Sequence, residues 1–406
     1  MIQLEISRRF SPLIEQAHQV ATQLFRPISR KYDRQEHEYP KELNMLAALL
    51  DGMRAAGGHD GAGAAAARGD DAHAQRNRNG SNMSTCLGVM ALSWGDVGLL
   101  LSMPRQGLGN AAIASVANEQ QRRRFDGRWA AMAITEPHCG SDSAAIRTTA
   151  ELDGDDYVLN GEKIYVTAGE RADLLVVWAT LDKKLGRAAI KSFVVEKNTP
   201  GLELVRLEHK LGIRASDTAA FILKDCRVPR QNLLGDPEIN VEKGFAGVMQ
   251  TFDNTRPLVA SMAVGLTRAC LDQTRKVLDN AGVMIDEERP VLTQSAAAAA
   301  YLQMEAEYES ARLLTLQAAW MADNRMPNSL QASMAKAKAG RTCVEVSQGC
   351  IQLCGSLAYV EGEADIGLLE KWARDAKILD IFEGTQQIQL LIVARRLLQK
   401  TSAELK

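Results

Sequence analysis

Apolar and polar positions divide the chain into three textures. Up to about residue 125, apolar residues recur every three or four positions. "LIEQAHQVATQLFRPISRKYD" (13–33) predicts an amphipathic helix, and "GVMALSWGDVGLLLSM" (88–103) predicts a nearly fully buried one. From about 128 to 235 the period shortens to two. "TTAELDGDDYVLNGEKIYVT" carries Asp153-Gly154 and Asn160-Gly161, two hairpin signals flanked by alternating residues. "ADLLVVWATLD", "IKSFVVE" and "TAAFILKDCRVP" predict further strands. From about 241 the helical period returns: Tyr301, Met304, Tyr308, Ala311, Leu314, Ala318 and Met321 form one stripe, which reads as core. The strands look antiparallel and are not interleaved with helices, which argues against a doubly wound dinucleotide fold. The expected fold class is α+β multidomain. It comprises an N-terminal helical domain (1–125), a middle antiparallel β-domain (126–240) and a C-terminal helical bundle (241–406).

Residues 54–82 break the pattern, with no Val, Ile, Leu, Met, Cys or aromatic residue among them. Such a stretch cannot bury enough apolar surface to order itself and predicts a long mobile surface loop. The whole chain of 406 residues is 46% hydrophobic and 24% charged, with a net charge of −2. That balance gives no reason to expect a nucleic-acid or membrane partner. The first residues lack a signal-peptide core, and no run of roughly 18 apolar residues occurs, so the expected compartment is cytoplasmic. The seven cysteines include no CxxC pair. Cys343, Cys350 and Cys354 recur at helical spacing and predict one buried face, not zinc. His138 and His209 read as single histidines without ligand partners at metal spacing. "GLGNAA" (107–112) and "GAGAAA" (61–66) match a loose dinucleotide-loop pattern but follow no convincing strand. Arg122, Arg123 and Arg124 read as a solvated helix end.

Two stretches point to chemistry. "AITEPHCGSD" (133–142) runs a strand into a Pro/Gly turn with two hydroxyls, an arrangement that suits a pyrophosphate or the polar edge of a flat ring. On this segment alone a plain β-turn explains it equally well. "IFEGTQQIQ" (381–389) sets one carboxylate, Glu383, between an aromatic residue and a glycine, where the plain alternative is a helix-end residue.

Taken with "GEKIYVTAG", "LGIRASDTAAF", "FDNTRPLVA", "WARDAKILD" and "IVARRLL", in that order, these stretches resemble the acyl-CoA dehydrogenase family of flavoproteins. The likeness runs from about residue 85 to the end, and more weakly over 1–50. It implies an N-terminal helical domain, a middle β-domain and a C-terminal four-helix bundle. FAD lies between the last two. An acyl-CoA substrate loses its α-proton and β-hydride to give a trans-2-enoyl-CoA, and the electrons pass to an electron-transferring flavoprotein.

The resemblance also assigns residues. Glu383 is the expected base, present where some relatives instead carry a glutamate at the position of Thr255. Its backbone N–H is expected to hydrogen-bond the thioester oxygen. Burial beside Phe382 and the acyl chain is expected to raise its carboxyl pKa. Met132, Ile134, Thr135, Gly140, Ser141, Tyr165, Val166, Thr167, Gln352, Gly355, Thr385 and Gln387 are expected at FAD. Ser141, Asp253, Thr255, Arg256, Gly384 and Met103 are expected at the substrate. The helix wall "GLLLSMPRQGLGNAAI", opened by Pro104, Gly107 and Gly109, is expected to line the acyl pocket. No metal is expected.

Two departures fall on the inter-subunit half of the FAD site. "LDNAGVMIDEERPVLTQ" stands where the family usually carries RxTFG, and "QLCGSLA" where it carries QxxGGNG. They leave open a homodimer or homotetramer, or a heteromer with a related subunit. Alternative functions are an acyl-carrier-protein thioester dehydrogenase and a non-catalytic partner subunit. A flavin monooxygenase on this fold would not need Glu383.

Overall fold

The computed structural model describes residues 6–48, 80–104, 108–239, 246–360, 367–401 and 404, with backbone alone over 246–254. Residues 54–79 of the apolar-free segment lie outside the described residues. Its last residues do not: helix begins at Ser81.

The first amphipathic stretch is α1 (Ser11–Val20), a π turn (Ala21–Phe25) and α2 (Arg26–Arg34). Pro27 cannot donate to the helix, and the wider turn just before it absorbs that loss. The second stretch splits into α3 (Ser81–Gly95) and α4 (Val97–Leu101) because Asp96 leaves the helix and caps the next one. Its Oδ1 accepts from the Leu99 N–H at 2.8 Å. Two short helices, α5 (Leu108–Val116) and α6 (Glu119–Phe125), lead into the sheet.

Seven strands follow: β1 (Ala130–Ala133), β2 (Thr149–Asp153), β3 (Asp156–Thr167), β4 (Leu174–Thr180), β5 (Ile190–Glu196), β6 (Leu202–Leu207) and β7 (Thr218–Pro229). They form one sheet in the order β1-β4-β2-β3-β7-β6, with β5 on the other edge of β4. Most pairs are antiparallel, as the pattern predicts. Two are not: β1 pairs parallel with β4, and β2 meets β4 in parallel through Thr149 and Thr180. The β2–β3 hairpin supplies the crossover that parallel pairing needs.

The Asp153-Gly154 turn forms as predicted, with Gly154 at φ 64°. Asn160-Gly161 does not turn. It lies inside β3, at a shift in register against β7. A Cβ on Gly161 would sit 2.3 Å from Thr148 Oγ1, so the glycine serves a close strand approach. β6 escaped the sequence reading because its residues are mostly exposed and show no buried alternation.

The C-terminal helices are α7 (Ala246–Asn280), α8 (Ala296–Asp323), α9 (Ser329–Cys354), α10 (Leu369–Leu379) and α11 (Gln386–Leu398). The predicted α8 stripe faces the core: Tyr301, Tyr308, Ala311, Ala318 and Met321 are buried, with Met304 and Leu314 packed against the cluster. Cys343, Cys350 and Cys354 are buried on one face of α9, and all seven cysteines are free. The described residues include no helix long and apolar enough to cross a membrane.

One buried charge cluster ties the three textures together. Lys371 of α10 donates to Asp375 Oδ2 at 2.7 Å and to Asp96, which also accepts from Ser29 of α2. Asp375 in turn accepts from the Ile213 N–H, next to β7. Burial alone would lower the Lys371 pKa, but Asp375 and Asp96 outweigh it and hold the ammonium charged. A buried cation shared by two carboxylates is fully paired, which is the condition for tolerating it in the core.

Candidate active site

The short turn between α10 and α11 presents Glu383 in the left-handed region, at φ 58°, followed by Gly384 at φ 90°. A glutamate takes that conformation at a cost, and it persists only when its surroundings impose it. Here several groups do. Gln389 Nε2 donates to the Glu383 carbonyl at 3.0 Å. Lys336 Nζ, from α9, donates to the Gly384 carbonyl at 2.7 Å. Thr385 caps α11, its hydroxyl accepting from the Ile388 N–H at 3.3 Å. A Cβ on Gly384 would lie 2.5 Å from Gln389 Nε2, so the glycine keeps that clamp intact. Phe382 packs against the bundle core.

The carboxylate itself is met by α7. Thr255 Oγ1 donates to Glu383 Oε2 at 2.9 Å. Arg256 and Lys336 add positive charge nearby. Burial pushes the Glu383 pKa above the usual carboxylate value and prevails over Thr255, Arg256 and Lys336, which pull it down. Lys336 is itself buried, and desolvation lowers its pKa to about 8 against the pull of Asp380 and Glu383. A half-buried carboxyl with one hydroxyl donor and a raised pKa is suited to accept a proton near neutral pH.

At the sheet, the end of β1 and a bulge in β3 form a shelf. The Ile164 N–H donates to the Thr135 carbonyl at 2.9 Å. The β3–β7 register shifts between Lys163 and Val166. That bulge turns Tyr165 to φ 57° and leaves it 62% exposed, while Val166 is buried. Thr135 and Thr167 are half-buried, and Gly140 and Ser141 are exposed. Met132 and Ile134 pack beneath, against a cluster that contains Trp178. An exposed aromatic side chain at the bulge, with Thr167 two residues on and the Thr135 backbone bonded to the neighbouring Ile164, suits a flat ring that is apolar on its face and polar at its rim. The residues present therefore fit the isoalloxazine of FAD.

A buried ion pair braces the shelf. Glu136 Oε1 accepts from Lys163 Nζ at 2.7 Å, and Lys163 also donates to the Ile134 carbonyl at 3.1 Å. Glu136 further accepts from the Arg147 and Thr148 N–H groups at 2.7 and 3.0 Å. The sequence reading gave neither residue a role. The available signal was a lysine at an inward position of an alternating strand.

Other expected residues are distributed less simply. Thr255 and Arg256 are buried beside Glu383, not on a surface. The Asp253 side chain lies outside the described residues. Met103 is buried in the N-terminal core with Phe25, Leu99 and Ala215. Gly109 packs α5 tightly on β1: a Cβ there would sit 2.5 Å from the Ala130 carbonyl oxygen. Its smallness serves that packing, and Gly107 lies outside the described residues. Gln387 is exposed on α11. Gln352 and Gly355 are exposed at the far end of α9, roughly 24 Å along the helix from Lys336. His209, read as isolated, lies beside Glu36 and His37.

Comparison with known proteins gives a consistent picture. The family descriptions "Acyl-CoA dehydrogenase, middle domain" and "Acyl-CoA dehydrogenase, C-terminal domain" match residues 131–226 and 242–398, together more than half of the chain. The mitochondrial short-chain specific acyl-CoA dehydrogenase of Mus musculus is 40% identical over 267 residues, covering 66% of this chain and 62% of that protein. The match thus spans less than two thirds of that relative's length. Butyryl-CoA dehydrogenase from Megasphaera elsdenii superposes with a TM-score of 0.82 at 26% identity, covering 98% of this chain and all of that one. A chain solved in work on the electron transferring flavoprotein of Acidaminococcus fermentans superposes with a TM-score of 0.80 at 29% identity, covering 98% and 100%.

Proposed function

Because the chain belongs to the acyl-CoA dehydrogenase family of FAD-dependent flavoproteins, we propose that it oxidises a short-chain acyl-CoA thioester to the trans-2-enoyl-CoA. The observation that carries this reading is the Glu383 carboxyl, half-buried in a left-handed turn and touched by Thr255. The short chain is supported by the 40% identity to a short-chain specific relative.

In this reading Glu383 takes the α-proton. The Thr255 hydroxyl orients the carboxylate before the transfer. Proton loss places negative charge on the thioester oxygen, which needs a donor. Among the described residues none accepts from the Glu383 backbone N–H, which leaves it for that oxygen. Thr135, Ser141, Tyr165 and Thr167 would hold FAD, which when bound would supply a two-electron oxidant for the β-hydride. Arg256 and Lys336 place positive charge around the base and limit how far its pKa rises. The electron acceptor is an electron-transferring flavoprotein. Exposed apolar residues at Met284, Leu292, Leu390 and Leu397 support self-association as a homodimer or homotetramer.

Anaerobic titration of the flavin-loaded protein with acyl-CoAs of increasing length tests this. The expected result is bleaching of oxidised-flavin absorption, strongest with short chains, and slowed at least roughly 10²–10⁴-fold in Glu383→Gln. Undiminished bleaching in that variant, or a protein that binds no FAD, overturns the proposal.

A further inference from the structure

The segment after α2 and the connection between β6 and β7 bring Glu36, His37 and His209 together, with one ligand-type atom from each within 4.8 Å of the others. These residues are 172 or more positions apart across the two segments, yet they meet closely. His209 Nδ1 is 3.0 Å from Glu36 Oε2. The other carboxylate oxygen accepts from the Lys210 N–H at 2.7 Å, which fixes its orientation. The two imidazoles pack edge to face, with centroids 4.9 Å apart.

His37 is the telling member. Its backbone sits at φ 74°, a conformation a histidine adopts at a cost. Both of its ring nitrogens are shielded from solvent, and neither has a hydrogen-bond partner among the described residues. Shielded polar atoms without partners are uncommon and call for an explanation such as a bound ion. The nearby cations are engaged elsewhere. Lys210 Nζ donates to the Ser216 carbonyl at 2.7 Å, and Arg171 pairs with Asp217 and donates to the Glu38 carbonyl.

We propose that Glu36, His37 and His209 bind a divalent transition-metal ion, best matched by zinc. Two imidazole nitrogens and one carboxylate oxygen make a three-ligand zinc set that leaves a fourth tetrahedral position for water. The Lys210 N–H acts as the outer-shell contact that orients the carboxylate. The His209 side chain is 85% exposed, which gives an ion access. None of the three residues belongs to the flavin shelf or the Glu383 turn. The ion therefore acts as a staple between the end of α2 and the β6–β7 connection, independent of the dehydrogenase reading.

The test uses metal-stripped full-length protein, titrated with Zn²⁺ by calorimetry and with Co²⁺ by visible absorption. One equivalent of Zn²⁺ is expected to bind, with an intense tetrahedral cobalt spectrum that zinc abolishes, and a rise in thermal midpoint. His37→Ala and His209→Ala are each expected to weaken binding roughly tenfold or more and to remove the midpoint rise. His138→Ala, in a different loop, is expected to bind as the unsubstituted chain does. Because His209 is exposed, its replacement leaves the fold intact and keeps the comparison fair. Zinc affinity unchanged in both variants, a weak octahedral cobalt spectrum, or equal loss in His138→Ala overturns the proposal.

Discussion

Replacing Thr255 by Val removes one hydroxyl from beside the Glu383 carboxylate and changes almost nothing in shape. The bond at stake is 2.9 Å long and runs from a buried side chain to a carboxylate. A hydrogen bond to a charged group contributes about 1.5–3 kcal/mol. Thr255 stabilises the ionised form, so its loss lets Glu383 hold its proton more tightly. The acid limb of the kcat/KM profile therefore moves to higher pH. At a fixed pH on that limb, kcat/KM falls by roughly ten- to a hundredfold, since about 1.4 kcal/mol is a factor of ten. At high pH the rate recovers, because the carboxylate is again ionised. The assay is the pH dependence of kcat/KM for a short acyl-CoA with an artificial electron acceptor. Flavin content and thermal midpoint are checked beside it. An acid limb that stays in place, with flavin and midpoint intact, would refute the role given to Thr255.

Lys163→Met leaves Glu136 buried without its cation and is expected to cost about 3–5 kcal/mol in denaturant unfolding. Adding Glu136→Gln should restore part of that loss, and a single-variant loss below about 1 kcal/mol would contradict the bracing role. Glu383→Gln should be more stable than the unsubstituted chain at alkaline pH. Burial raises the folded-state pKa of Glu383, so its contribution is fully present below the unfolded value of 4.5 and is lost as pH rises through the folded value. The difference in thermal midpoint should therefore close as pH falls to about 4. A difference independent of pH would show that the carboxyl is not desolvated.

The order of helices, sheet and helices was legible in the chain because periodicity is local. The α8 stripe, the cysteine face of α9 and the β7 strand each leave a repeat of about three and a half or two in consecutive residues. The isolated glutamate of "IFEGTQQIQ" was legible too, since its setting lies within nine residues. Tertiary structure decided what that glutamate touches. Thr255 lies 128 positions away, and Lys336 reaches the same turn from another helix. It also converted Asn160-Gly161 from a turn into a close strand approach, because Thr148 crosses there. Glu136 with Lys163, and Glu36 with His37 and His209, follow the same logic. A charged or coordinating side chain carries no periodic trace of a distant partner, so its pairing is set when packing brings the segments together. Apolar residues need only face inward, and that requirement is written in their spacing.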